Sequence, residues 1–282
     1  MSNSHVSSDL KDDLAFAHAL ADLADAISLD RYQAQDLVVT TKPDSTPVTD
    51  ADRAVETAIR EAISTHRSED GLVGEEFGSD KGASTRYWVI DPIDGTKNFM
   101  RGVPIWATLI ALVEIDSSGN EEVIVGVVSA PALSRRWSAA RGLGAYVRFY
   151  SHDGLNEDLD SSESLEKKIK VSKVSSLTDA SISYSDFVGW GARLEPFQKM
   201  LNSAWRTRAI GDFWSHMLVA EGSIDVAIEP SLALWDMAAL EIIVREAGGI
   251  FTDISGHNGA FGSSAISTNG LLHNEVVNGV NP

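Results

Sequence analysis

Residues 88–99 read Trp88-Val-Ile-Asp91-Pro-Ile-Asp94-Gly-Thr96-Lys-Asn-Phe99. The apolar residues 87–90 predict a short buried strand that ends at two aspartates three positions apart. Pro92 stiffens the turn, Gly95 lets the backbone pass close to a ligand, and a helix can begin at Thr96. Such a turn suits a hard divalent metal and a phosphate group. It equally suits an ordinary strand-to-helix turn with aspartate as turn former and cap, and this stretch alone leaves both interpretations open.

The composition is that of an ordinary globular protein with a strong acidic excess. The 282 residues can bury a sizeable core as one large domain or two sub-domains, and 43% of them are hydrophobic. Acidic residues outnumber basic ones 41 to 23, for a formal charge of −18, which argues against nucleic-acid or anionic-membrane partners. Cysteine is absent, so thiolate chemistry is excluded, and no apolar run approaches the roughly 20 residues of a membrane span. We expect a cytoplasmic protein without nucleic-acid or membrane partners.

The first half predicts two helices separated by a loop. Apolar residues at helical spacing predict a long amphipathic helix from Asp9 onward, after a frayed start. A proline-bracketed loop covers residues 42–47, and Thr49 followed by Asp52 has the spacing of a capping box. Asp50 then lies in the first turn of the second helix, where an acid also complements the helix dipole.

A second acidic strand end precedes the first. Residues 71–74 predict a short strand followed by Glu75 and Glu76, flanked by glycines. Adjacent carboxylates repel, so a buried pair needs a cation nearby, whereas an exposed pair is simply a solvated loop. We expect this strand end to meet the Asp91 strand end at one edge of a sheet.

The remaining chain divides into a meander, an acidic loop and an alternating half. Residues 105–150 predict an antiparallel meander, and residues 151–168 predict a loop or insertion between sub-domains. From residue 169 to 282, strands and helices alternate, which indicates a sheet covered by helices. The predicted organisation is therefore an α+β sub-domain (1–150), the loop (151–168) and an α/β sub-domain (169–282).

Four acids are candidate metal ligands, and Asp50 lies near them in the predicted arrangement. They are Glu75, Asp91, Asp94 and Asp236, each at a strand end or helix start. Their convergence without lysine partners would be unfavourable in the absence of a bound cation. Oxygen-only ligation without cysteine or paired histidines indicates Mg²⁺ rather than zinc, with Mn²⁺ as the alternative.

Three linked motifs resemble the inositol monophosphatase superfamily in order and spacing. They are Gly74-Glu75-Glu76, Asp91-Pro-Ile-Asp94-Gly-Thr96, and Trp235-Asp236-Met-Ala-Ala followed by Glu246-Ala-Gly-Gly249. The resemblance spans nearly the whole chain. It implies a five-layered αβαβα sandwich, Mg²⁺-dependent hydrolysis of phosphomonoesters, lithium sensitivity and a homodimer. The first sub-domain would then carry most metal ligands, and the second would carry Asp236 and the substrate-side residues.

The resemblance also implies a ligand set of two to three ions. Glu75, Asp91 and the Ile93 carbonyl would hold the first ion, and Glu75 would help to place a third, weaker one. Asp91, Asp94 and Asp236 would hold the second ion.

The same resemblance assigns the catalytic and phosphate-binding groups. Thr96, paired with Asp50, would orient and deprotonate the attacking water. The backbone N–H groups of Gly95 and Thr96 would receive the phosphate at a helix N-terminus.

Substrate choice depends on the second half of the chain. Residues 94–108 together with Gly211-Asp212-Phe213-Trp214 resemble the histidinol-phosphate phosphatase branch of the family. Asp212 and Glu229 would meet the ammonium of that substrate, and Phe213 or Trp214 would face its imidazole. The same residues are also compatible with a helix cap and with core packing.

Other functions stay open at this point. The same metal site would serve a broad inositol-1-phosphate phosphatase. A fructose bisphosphate or 3′-phosphoadenosine phosphatase would need a basic pocket from Arg135, Arg136, Arg206 or Arg208. A catalytically silent metal-binding relative would need only the ligands, whereas Thr96 and Asp50 are also present.

Overall fold

The computed structural model describes residues 3–43, 46–150 and 165–281. It begins with a two-stranded hairpin between two helices: α1 (Asn3–Arg31), β1 (Val39–Thr41), β2 (Pro47–Thr49) and α2 (Asp50–His66). Helix α1 begins earlier than predicted. The capping box at the start of α2 is confirmed, since the Thr49 backbone N–H donates to Asp52 Oδ2 at 2.8 Å while the Asp52 N–H donates to Thr49 Oγ1 at 3.3 Å.

The next elements build a large first sheet. In chain order they are β3 (Gly71–Gly74), β4 (Gly78–Asp80), β5 (Arg86–Asp94), α3 (Thr96–Met100), β6 (Ala107–Ile115), β7 (Glu121–Ala130), β8 (Arg135–Ala140), β9 (Gly144–Phe149) and β10 (Leu165–Lys168). The eight strands are ordered β10-β9-β8-β7-β6-β5-β3-β4. The predicted antiparallel meander is confirmed from β6 to β9. Strand β5 pairs antiparallel with β6 and parallel with β3. The last four residues of the predicted loop 151–168 form strand β10, and residues 151–164 lie outside the described residues.

Both faces of the first sheet are covered by other elements. Successive residues of a strand point to opposite faces, so alternate side chains of β5 pack on each side. Trp88 and Ile90 of β5 pack with α1 and α2 on one face. Tyr87 and Val89 pack toward the second half of the chain on the other face. The sheet is therefore an inner layer, and its strand ends are held rigidly.

The second half forms a smaller sheet with its own helices. In chain order they are β11 (Ser181–Ser183), α4 (Leu194–Ser203), β12 (Arg206–Arg208), α5 (Asp212–Ala220), β13 (Val226–Glu229), α6 (Leu234–Glu246), β14 (Ile250–Thr252), β15 (Ala265–Thr268) and α7 (His273–Val280). The strands are ordered β12-β11-β13-β15-β14. Helices α5 and α6 pack between the two sheets, and α4 and α7 cover the outer face of the second one.

The layers therefore run helix, sheet, helix, sheet, helix, and the predicted five-layered αβαβα sandwich is confirmed. This arrangement brings the ends of β3 and β5 opposite the starts of α5 and α6. None of the helices in the described ranges has the length and apolarity that crossing a bilayer requires.

Candidate active site

A β-bulge at the end of β5 aims two aspartates at one place. Asp91 pairs with Leu109 of β6, but Asp94 pairs with Ala107, so β5 has one residue more than its partner over this step. A bulge bends the strand and reorients the side chains beside it. Thr108 Oγ1 donates to the Pro92 carbonyl at 2.8 Å and holds the bulged segment.

A third carboxylate reaches the same place from α6. Ligand oxygens of Asp91, Asp94 and Asp236 all lie within 4.8 Å of one another. Asp236 is in the first turn of α6, and its Oδ2 accepts the Ala233 N–H at 2.7 Å, which fixes the side chain. The structure thus brings together three of the four acids that the sequence separates by up to 145 positions (236 − 91).

The electrostatics of this cluster show unrelieved repulsion. Burial, and then the nearby carboxylates of Glu75, Asp94 and Asp236, raise the pKa of Asp91 well above its ordinary value. Burial and the carboxylates of Asp212 and Asp236 do the same to the pKa of Asp94. Burial raises the pKa of Asp236 to about 6. A divalent cation that prefers carboxylate oxygens would relieve this repulsion, so the donor set fits Mg²⁺ or Mn²⁺.

Glu75 lies beside this cluster and forms an ion pair with Lys42. Lys42 Nζ lies 2.7 Å from Glu75 Oε1 and 2.5 Å from Glu76 Oε1. From sequence, Glu75 was expected to have no lysine partner. Lys42, which directly follows β1, supplies this cation. The buried Glu56 of α2 positions the acidic turn, since its carboxylate accepts the N–H groups of Glu76 and Phe77 at 2.7 and 3.1 Å.

Thr96 is paired with Asp52, and the predicted pairing with Asp50 is wrong. Thr96 Oγ1 lies 3.3 Å from Asp52 Oδ1 and 3.1 Å from the Ile93 carbonyl. Asp50 instead accepts a hydrogen bond from Arg31 Nη2 at 2.7 Å. The reason is helical geometry: residues two apart on a helix face different directions, so only one of the two aspartates faces the site. The capping-box spacing of Thr49 and Asp52 is the sequence signal that singles out Asp52, but on its own it predicts only a helix cap.

The turn into α3 requires its glycine. Gly95 has φ of 86°, and a Cβ atom there would lie 2.9 Å from the Ile105 carbonyl oxygen and 3.5 Å from Asp212 Oδ2. Asn98 Nδ2 donates to Asp212 Oδ2 at 3.0 Å and so joins α3 to α5. No sequence pattern had singled out Asn98 as a residue of the site. Gly95, one of the two predicted phosphate-binding residues, therefore lies close to Asp212 at the start of α5.

The three predicted substrate residues differ in their placement. Asp212, Phe213 and Glu229 all line the cavity described below. Phe213 is fully buried, and its ring packs against Trp137 with centroids 6.0 Å apart. Its backbone N–H, rather than its ring, serves the site by donating to Asp94 Oδ2 at 2.6 Å. The ring of Phe213 thus packs in the core between the sheets, and its contact with the substrate stays a prediction.

Glu229 is the most strongly perturbed acid on the substrate side. It is 4% exposed, and Ser185 Oγ donates to its Oε1 at 2.6 Å. Burial raises the pKa of Glu229 from 4.5 to about 8. The metal-free protein therefore holds this side chain protonated at neutral pH.

This perturbation predicts a pH-dependent stability for metal-free protein in a chelating buffer. Because the folded-state pKa of Glu229 is raised, its protonation stabilises the fold at low pH, and that contribution is lost as pH rises toward 8. The unfolding free energy of Glu229→Gln is expected to rise relative to that of the wild type, by about 1.4 kcal/mol for each unit of pH increase between 5 and 8. Urea denaturation at pH 5, 6, 7 and 8 measures the difference. The exposed Glu69→Gln variant controls for the loss of one charge, and a pH-independent difference for Glu229→Gln would contradict the prediction.

One cavity of about 540 Å³ joins the acid cluster to the substrate-side residues. Its wall includes Glu75, Asp94 and Asp236 of the acid cluster. Asp186, Asp212 and Glu229 lie on the same wall, and the Asp212 carboxylate is near enough to Asp94 to raise its pKa. Within the described part of the chain, Lys97 is the one lysine or arginine on this wall. Arg135 binds Glu221 and Arg136 binds Asp22 and Asp25, so neither contributes to a basic pocket here.

Comparisons with known proteins agree with this geometry. A model of the inositol monophosphatase family matches residues 9–279. A Streptomyces coelicolor protein named histidinol-phosphatase is 51% identical over 97% of this chain and 98% of its own length. A Mycobacterium tuberculosis protein of the same name is 51% identical over 96% of this chain and 98% of its own. The solved structure of a Thermotoga maritima IMPase has a TM-score of 0.80 at 32% identity, covering 96% of this chain and 97% of that one.

The layered fold, the buried acid cluster and these relatives define a phosphoric monoester hydrolase of a metal-dependent family. The chain belongs to the inositol monophosphatase family, as the match over residues 9–279 shows. The fold class and the family expected from the three motifs are thus confirmed.

Proposed function

We propose that this enzyme hydrolyses histidinol phosphate to histidinol and inorganic phosphate. The observation that carries the proposal is the acidic wall on the substrate side of the cavity, formed by Asp186, Asp212 and Glu229. Such a wall favours a leaving group with a positive charge, and histidinol carries an ammonium group. The names of the two relatives at 51% identity support the same substrate.

Glu229 is the group that we assign to the ammonium. Its carboxyl is buried beside Ser185, and a cation next to it would favour the charged form that burial disfavours. Asp212 serves less directly, because Asn98 already binds its Oδ2. An inositol ring is neutral and would not relieve the repulsion among these acids.

We assign the metal to Mg²⁺, with Mn²⁺ as the alternative, and expect two to three ions. Glu75, Asp91 and the Ile93 carbonyl would hold one ion, and Asp91, Asp94 and Asp236 another. Bound ions would acidify the attacking water and neutralise the charge that develops on the phosphoryl and leaving oxygens. Lys42 would have to release Glu75 for the first set to form, since its Nζ occupies Glu75 Oε1.

The residues of the chain orient the water and hold its proton. With its hydrogen donated to Asp52 rather than to the Ile93 carbonyl, the Thr96 hydroxyl oxygen, on the cavity wall, would accept a proton from the attacking water. Burial raises the pKa of Asp52, so this carboxylate is prepared to receive the Thr96 proton. The N–H groups of Gly95 and Thr96 would receive the phosphate. A homodimer and inhibition by lithium, as the family resemblance implies, belong to the same proposal.

Phosphate-release kinetics with Mg²⁺ test the substrate. We expect kcat/KM for histidinol phosphate to exceed that for inositol 1-phosphate by about tenfold to a hundredfold, the value of one charge-assisted contact. The second candidate, an inositol-1-phosphate phosphatase, is favoured by the structural similarity to the Thermotoga IMPase. A preference for inositol 1-phosphate would establish it and refute our proposal.

A further inference from the structure

His216 is a buried histidine on the wall of the active-site cavity that neither the metal cluster nor the water-activating pair uses. It lies on α5, four residues and about 6 Å along the helix axis from Asp212. It is 1% exposed, and it shares the cavity wall with Leu232 and Leu240. Its position therefore lies one helical turn deeper than the groups around Gly95.

One nitrogen of the His216 ring is paired and the other is not. Nδ1 lies 2.6 Å from Ser267 Oγ. Nε2 is buried and has no hydrogen-bond partner among the described residues. Buried polar atoms in proteins are nearly always hydrogen-bonded, so an unpartnered nitrogen on a cavity wall indicates a partner that comes from the ligand.

The hydrogen bond to Ser267 selects the tautomer. If the Ser267 hydroxyl donates to Nδ1, then Nε2 carries the ring hydrogen and is the only unpaired group. If Nδ1 donates instead, both the Ser267 hydrogen and the Nε2 lone pair are left without partners in the described residues. The first arrangement leaves fewer buried groups unpaired, so Nε2–H is a donor.

The ring is also uncharged. Burial lowers the pKa of His216 to about 4, so at neutral pH the side chain is a neutral donor. It therefore does not repel a substrate ammonium, as a lysine or arginine at this position would.

We propose that His216 Nε2–H donates a hydrogen bond to the unprotonated imidazole nitrogen of histidinol phosphate and so determines specificity for the leaving group. This inference rests on the proposed function. Three carbons separate the ester oxygen of that substrate from its imidazole ring, which suits a contact one helical turn deeper than the phosphate. The ammonium has no lone pair to accept the bond, whereas the neutral imidazole has one acceptor nitrogen.

Two amide variants separate the two ring nitrogens. In His216→Asn the amide oxygen can accept from Ser267 in place of Nδ1, but the side chain is too short to replace Nε2. In His216→Gln the amide N–H₂ reaches the position of Nε2. Both variants lose the ring and its packing against Phe251, so they differ in the reach of the amide group.

The substrates are histidinol phosphate and phenylalaninol phosphate, which has a phenyl ring in place of the imidazole. Assays run at pH 8, where the substrate imidazole is mostly neutral. We expect His216→Asn to lower kcat/KM for histidinol phosphate by about tenfold to thirtyfold, mainly through KM, because the contact is remote from the reacting phosphorus. The value for phenylalaninol phosphate should change less than about threefold, and His216→Gln should recover most of the loss.

Equal losses on both substrates, or no loss on either, would overturn the role of His216 while leaving the proposed function intact. A wild-type enzyme with no preference for histidinol phosphate over inositol 1-phosphate would overturn the proposed function, and this inference with it. Thermal melting of both variants shows whether they are folded. If the Asn variant is unfolded, His216→Leu takes its place, because leucine has no hydrogen-bond donor at the Nε2 position. A loss confined to histidinol phosphate is again the expected result, and an equal loss or no loss on the two substrates again overturns the role of His216.

Discussion

Replacing Asp52 by asparagine is expected to lower kcat by about a hundredfold to ten-thousandfold, the usual contribution of a positioned general base. Asp52 uses one carboxylate oxygen for the α2 cap and the other for Thr96. An asparagine has one oxygen, so it can keep the cap only by turning its N–H₂ group toward Thr96. The Thr96 hydroxyl then loses the acceptor that frees its oxygen for the attacking water. Steady-state phosphate release with Mg²⁺ measures the loss.

Asp50→Asn is the matched control, since it makes the same chemical change two residues earlier in α2. Its half-exposed ion pair with Arg31 is worth at most about 1 kcal/mol of stability, and kcat should change less than about threefold. Because the cap is retained, Asp52→Asn should lose no more than about 1 kcal/mol in unfolding free energy. A larger loss of kcat in Asp50→Asn than in Asp52→Asn would restore the pairing expected from sequence.

Replacing Asp94 by asparagine is expected to lower kcat/KM by at least about a thousandfold, since a metal ligand supplies several kcal/mol of transition-state stabilisation. The same change should raise the melting temperature of the metal-free protein. The reason is repulsion: burial and the carboxylates of Asp212 and Asp236 already disfavour the charged form of Asp94. Asparagine keeps the oxygen that accepts the Phe213 N–H and removes the charge.

Activity and melting temperature, measured together, distinguish the loss of a metal ligand in Asp94→Asn from misfolding of the variant. Addition of Mg²⁺ should raise the melting temperature of the wild type more than that of Asp94→Asn, because only the wild type retains all three clustered carboxylates. The control is Asp12→Asn, which removes one charge from an exposed position in the N-terminal half of α1. This variant should behave as the wild type in both assays. Near-normal turnover by Asp94→Asn would refute a metal mechanism at this cluster.

Much of the candidate site was predictable because its signals are local. The apolar run before Asp91, the glycine after Asp94 and the helix start at Asp236 each predict an element and its end from neighbouring residues alone. These ends are where a layered α/β protein exposes functional groups, so the acids could be proposed before their distances were known. The family resemblance then supplied the order of the three motifs.

The wrong pairing concerns which of two plausible acids faces the site. Asp50 and Asp52 are equally acidic, and only the packing of α2 against β5 turns Asp52 toward Thr96, 44 positions away. Phe213 lines the cavity, yet its ring packs in the core against Trp137. Lys42 and Asn98 were missed because a single polar residue in a loop or short helix has no pattern that separates it from solvent-facing ones.

Local sequence patterns were enough to predict the main helices and most strands, the family and the set of acids from which the metal ligands would come. These depend on periodicity and motif spacing, which are properties of short segments. Three contacts came only from the folded arrangement: Thr96 meets Asp52, Lys42 binds Glu75, and His216 lies on the cavity wall with an Nε2 that has no hydrogen-bond partner in the described part of the chain. Those contacts join α2, β5, α5 and the β1–β2 hairpin across the layers. Their geometry depends on how whole faces pack, and no local pattern contains that information.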